Sequence, residues 1–150
     1  MTFKHILVAT DFGEPSERAL DLAVELARTF DARLTLVHSW EAPSYSYGGA
    51  LYVPADFITP IEEAARKHLE GALTELQRRV PNAKSVLRAG VAWQEVLAAA
   101  SEMQADLIVL GTHGRRGLNR ALLGSVAEKV VRLSEVPVLT VHGKEEKEKK

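Results

Sequence analysis

The chain has 150 residues, 46% of them hydrophobic and 26% charged, with a formal net charge of −1 and no cysteine. That length supports one domain around a single core. The near-zero charge gives no global field favouring nucleic acid or an anionic membrane, and the lack of cysteine excludes disulfides, thiolate catalysis and cysteine metal sites.

Ile6 to Thr10 reads as the first buried strand. Its apolar stretch is too short for a signal-peptide core, and no later stretch approaches membrane-spanning length, so a cytoplasmic protein with no membrane partner is expected. Ala19, Leu22, Ala23, Leu26 and Ala27 recur at helical spacing and form one face of the first helix. Leu34 to His38 reads as the second strand. Trp40 to Pro54 holds two Pro, two Gly, three Tyr and a Trp with no helical period, and is expected to be a long loop over the ligand end of the sheet. Its aromatic residues Trp40, Tyr45, Tyr47 and Tyr52 are read mainly as packing residues.

The second helix presents Ile61, Ala65, Leu69, Leu73, Leu76 and Val80 on one face. Thr59 with Glu62 forms a capping-box pattern, and Pro60 suits the first helical position. Lys84 to Ala89 is the third strand. Val96, Leu97 and Ala100 face inward on the third helix. Asp106 to Leu110 is the fourth strand, and Ala121 to Leu133 the fourth helix, with Leu122, Val126, Val130 and Leu133 inward. Val136 to Val141 is the last strand. Gly143 to Lys150 is a charged tail expected to be disordered, which leaves residues 1–142 as the domain.

Strand and helix alternate, which implies an α/β fold, a five-stranded parallel sheet with helices on both faces. Right-handed crossovers make it a doubly wound sandwich, for which the strand order 3-2-1-4-5 is expected. Ligands of such sheets bind outside the carboxyl ends of the strands. Here those ends are Thr10-Asp11, His38-Ser39, Ala89-Gly90 and Leu110-Gly111.

The fourth end carries the most chemistry. Gly111-Thr112-His113-Gly114 follows a strand, and Gly124-Ser125 falls in the first turn of the helix after it. Strand, glycine loop and helix N-terminus present backbone N–H groups to a phosphate. The loop between holds His113, Arg115, Arg116 and Arg120 and no acid. The spacing is neither that of a Walker P-loop nor that of the dinucleotide fingerprint.

These residues resemble the ATP-binding branch of the universal stress protein family, whose signature is G-x-x-G, nine residues, then G-[S/T]. Gly111, Gly114, Gly124 and Ser125 match it without a gap. Ile6 to Phe12, Ala105 to Gly111 and Val136 to Val141 are similar to the family's first, fourth and last strands. The resemblance implies an ATP site and a regulatory or stress-response role; a Mg²⁺ or Mn²⁺ would ride on the phosphates of such a ligand, with Ser125 or Asp11 nearby. It also implies a homodimer through Val136 to Val141; an apolar edge strand is in any case a surface that invites pairing. It places Asp11 against the adenosine and the backbone of Ser39 against adenine, with Thr10 and Val37 lining the same pocket. His113, Arg115 and Val126 complete the binding set beside the signature residues. Asp11 has a second reading, as a cap for its turn.

A slow ATPase of the same fold is the alternative function. No residue is an evident base for activating water, and Ser125 lies in no G-x-S-x-G elbow. A receiver-type signalling domain is excluded, because Asp11 stands without a paired acid and the third strand ends Arg88-Ala89-Gly90.

Overall fold

The computed structural model describes residues 1–43, 46–47, 50–51, 53–112 and 123–144. In chain order the elements are β1 (His5–Ala9), α1 (Glu14–Phe30), β2 (Arg33–Trp40), β3 (Ser46–Tyr47), β4 (Ala50–Leu51), α2 (Ala55–Arg79), β5 (Lys84–Ala89), α3 (Ala92–Glu102), β6 (Leu107–Gly111), α4 (Ser125–Leu133) and β7 (Val138–Val141). Five strands form one sheet in the order β5-β2-β1-β6-β7, every pair in it parallel. This is the expected 3-2-1-4-5 arrangement.

The sheet is buried on both faces, which is why β1 and β6 carry unbroken apolar runs, Ile6 to Ala9 and Leu107 to Leu110. Ile6, Val8, Leu34, Leu36, Leu107 and Val109 pack on one side against α1 and α2. Leu7, Val37, Ile108 and Leu110 pack on the other against α3 and α4. Among the described helices none is long and apolar enough to cross a membrane.

Several boundaries differ from the sequence reading, each for a local reason. The last strand begins at Val138 rather than Val136. The Val136 N–H donates to Ser134 Oγ, whose hydroxyl reaches the Val136 carbonyl, so this residue belongs to a turn. The second helix starts at Ala55, directly after extended Pro54, and Pro60 lies inside it. Thr59 caps nothing; its hydroxyl donates to the Ala55 carbonyl one turn back. Pro60 withholds a donor from the carbonyl of Asp56, an exposed residue whose carbonyl water can serve. The segment expected as a plain loop contains a short antiparallel pair, β3 with β4; Tyr45 and Tyr52 lie outside the described residues. The fourth helix is observed from Ser125, and Ala121 and Leu122 lie outside the described residues. Leu133 is 47% exposed rather than inward, and Ala127 takes the inward place.

The tail begins in contact with the domain. The Lys144 N–H lies 3.2 and 3.3 Å from the two carboxylate oxygens of Glu14. A Cβ on Gly143 would come within 2.8 Å of the same carboxylate. Residues 145–150 lie outside the described residues.

One buried polar group has a pH consequence. His5 is 3% exposed; its Nδ1–H donates to the Met103 carbonyl and its Nε2 accepts from the Thr35 hydroxyl. Burial pushes its pKa below the ordinary value of 6.5, although the Met103 bond pulls it up. Below about pH 6.5 the unfolded chain therefore binds a proton that the folded chain does not, and stability falls with falling pH through that window. Urea unfolding of a His5→Asn variant between pH 7.5 and 5 is expected to show a flatter pH dependence than the parent. Equal slopes would rule out a neutral buried imidazole.

Candidate functional site

A cleft of about 240 Å³ opens at the carboxyl end of the sheet, on the α3 and α4 side. It lies where β1 and β6 run side by side while their connections leave in opposite directions, the switch point of a doubly wound sheet. Thr10, Asp11, Val37, Ser39, Gly111, Gly124, Ser125 and Val126 all line it. His113, Gly114 and Arg115 lie outside the described residues, as do Arg116 and Arg120.

The turn after β1 is organised by side chains. Asp11 Oδ1 accepts from the Gly13 N–H at 2.8 Å and lies 2.9 Å from the Ser16 hydroxyl. Asp11 thus does cap its turn, through one oxygen. Its Oδ2 has no partner among the described residues, and the residue is exposed.

The end of β2 forms a ledge. The Thr10 N–H donates to the Val37 carbonyl, the last bond between the first two strands. β2 continues to Trp40, paired only with β5. Strand alternation turns the N–H and C=O of Ser39 toward the side β1 has vacated. They make no backbone bond there, so a donor and an acceptor face the cleft. Ala92 and Val96 of α3 supply an apolar wall opposite. Arg88 of β5 fixes that helix through ion pairs to Glu95 at 2.8 Å and Glu102 at 2.6 Å, and its guanidinium holds the Glu102 carboxyl below the usual carboxylate range.

The other end of the cleft is the start of α4. The Gly124 N–H donates to the Thr112 carbonyl, closing the glycine loop on itself, while the Gly124 carbonyl receives the first helical bond from Glu128. Gly124 therefore offers no donor. The amides of Ser125, Val126 and Ala127 have no partner among the described residues, nor does the exposed Ser125 hydroxyl. These are the orphan donors of a helix N-terminus.

Gly111 has a different reason for being glycine than a tight turn. A Cβ there would lie 2.8 Å from the carbonyl carbon and the Cβ of Pro15, so its bareness lets α1 start against β6. Gly90 has φ of +144° and serves the turn into α3; it does not line the cleft. Sequence reasoning missed Ser16, Ala92, Leu110 and Thr112 as lining residues. Thr112, 1% exposed, bonds through its side chain to His142 Nδ1 at 3.2 Å.

The universal stress protein family model matches residues 2–142. The chain belongs to that family. Universal stress protein A homolog 1 of Coxiella burnetii is 38% identical over 149 residues, covering 97% of this chain and all of that one. The universal stress protein UspA from Lactobacillus plantarum has the same fold, with a TM-score of 0.81 at 24% identity over 94% of this chain and 99% of that one. The universal stress protein from Archaeoglobus fulgidus, solved in complex with dAMP, matches with a TM-score of 0.66 at 26% identity over 94% of this chain and 99% of that one.

Proposed function

We propose that this universal stress protein binds ATP and acts as a nucleotide-dependent regulatory protein of the stress response. The observation that carries the reading is the pairing of two kinds of surface in one cleft. The orphan amides and hydroxyl at the start of α4 suit phosphate. Asp11 Oδ2, the Ser39 backbone and the wall of Ala92 and Val96 suit a ribose and a base. The nucleotide complex of the archaeal relative supports the ligand class. One helix terminus supplies only about 0.3–2 kcal/mol toward an anion, and micromolar affinity needs about 8 kcal/mol. Both ends of the cleft must therefore contribute.

Among the described residues no three His, Asp or Glu side chains meet as a metal cage. A Mg²⁺ or Mn²⁺ would travel on the phosphates, with the Ser125 hydroxyl or the Asp11 carboxylate as protein oxygens in the same cleft. Mass spectrometry of small molecules released from freshly purified protein, followed by calorimetry with ATP, ADP and AMP, tests the assignment. Absence of any adenine-nucleotide binding at millimolar ligand overturns it.

The same reading includes a homodimer through β7. This strand lies at the sheet edge. The Ile108 N–H donates to Pro137 and the Thr112 N–H to Val141, so the backbone of Thr140 points to the open edge. A Thr140→Pro substitution removes an outward donor and no bond within the sheet. Sedimentation is expected to give a dimer for the parent and a monomer for this variant; a monomeric parent at high concentration refutes the dimer.

A further inference from the structure

Phe12 stands beside Asp11 with φ of +63°, in the left-handed region that a bulky side chain rarely adopts. Its ring stacks on His68 of α2, with centroids 3.8 Å apart and planes 9° from parallel. Its other neighbour is His38 of β2, at 4.4 Å and 49°. The His38 Nδ1–H donates to the Thr10 carbonyl at 2.8 Å, and the Phe12 N–H donates to Thr10 Oγ1 at 2.9 Å. Three rings thus connect α2, the turn at residues 10–13 and the overhanging end of β2.

The ring packs with the core on the α1 and α2 side of the sheet and does not line the cleft. What reaches the cleft are its neighbours, Asp11 on one side and Ser39 next to His38 on the other. A turn with this backbone alone would be easier with glycine or asparagine. The aromatic ring therefore serves something other than the turn.

We infer that Phe12 is a positioning residue for the nucleoside end of the site, and that its stack with His68 and His38 aims Asp11 Oδ2 and fixes the ledge at Ser39. The inference rests on the adenine-nucleotide reading above. It predicts a split between the two ends of the cleft. The phosphate end at Ser125 to Ala127 belongs to α4, which the stack does not touch.

The test compares AMP with inorganic tripolyphosphate as ligands of the full chain. Phe12→Asn keeps a residue tolerant of the left-handed backbone and deletes the ring. His68→Ala deletes one partner from an exposed position. Phe12→Tyr keeps the stack. AMP affinity is expected to fall about ten- to a hundredfold in Phe12→Asn and about three- to tenfold in His68→Ala. Tripolyphosphate affinity and the unfolding midpoint of His68→Ala are expected to stay at the parent values, and Phe12→Tyr to bind AMP as the parent does. Unchanged AMP affinity in both deletions overturns the inference. So does an equal loss for AMP and tripolyphosphate, which marks a packing role only. A parent that binds tripolyphosphate but not AMP removes the nucleotide reading itself, and the inference with it.

Discussion

A Ser125→Pro variant is expected to lose at least about a hundredfold in ATP affinity while unfolding at nearly the parental temperature. The substitution removes two donors from the start of α4 at once, the amide and the hydroxyl. Each hydrogen bond to a charged group contributes about 1.5–3 kcal/mol, and 1.4 kcal/mol is tenfold in affinity. The fold should tolerate it. Ser125 is the first residue of the helix, where proline's fixed φ suits the backbone and its missing N–H breaks no helical bond. Proline also requires an extended residue before it, and Gly124 already has φ −59° and ψ 160°. Calorimetry with ATP beside a thermal scan separates the two effects. Unchanged affinity would take the phosphate away from this helix; a joint collapse of affinity and midpoint would show that the helix start itself had failed.

A Gly111→Ala variant is expected to lose stability by about 1–3 kcal/mol, the usual cost of an added methylene in a packed interior. The new Cβ would meet backbone and ring atoms of Pro15 and the amide of Ser16, at 2.8 to 3.0 Å. Neither is the far end of a flexible side chain, so α1 as a whole must shift. For a chain of this size the midpoint of thermal unfolding should fall by about 2–4 °C per kcal/mol. Because Ser16 holds Asp11, the same shift should weaken nucleotide binding. A variant with the parental denaturation midpoint would show that α1 can retreat without cost.

The sheet was legible because burial on both faces leaves little room for polar residues in the middle strands, where the buried His5 and Thr35 are hydrogen-bonded to one another. Ile6, Leu7, Val8, Ile108 and Val109 are 0% exposed, and each belongs to a run visible in the sequence. Strand ends were less legible. Whether Val136 joins the ladder depends on a hydroxyl two residues away, and β2 outruns β1 because β5 alone continues beside it. Pro60 misled because two prolines six residues apart both suit a helix start, and the capping pattern at Thr59 favoured the wrong one. In the cleft, residues with distinctive chemistry could be named beforehand: Asp11 by its charge at a strand end, Gly124 and Ser125 by their spacing. Ala92, Ser16 and Thr112 could not, because small residues carry no signal of what lies across from them. The reason for Gly111 depends on Pro15, distant in sequence and adjacent only after folding. The strained backbone of Phe12 likewise has no counterpart in residue type.

The contact between Gly143, Lys144 and the start of α1 determines where an appended module would sit. The chain enters at the pole of the sheet opposite the cleft, with Met1 98% exposed. At Lys144 it has reached the cleft's own pole, with the Lys144 N–H on the Glu14 carboxylate. A fluorescent or affinity module inserted after Lys144 would begin at the pole that holds the cleft, and one joined before Met1 would stand a full strand away, about 17 Å for five residues.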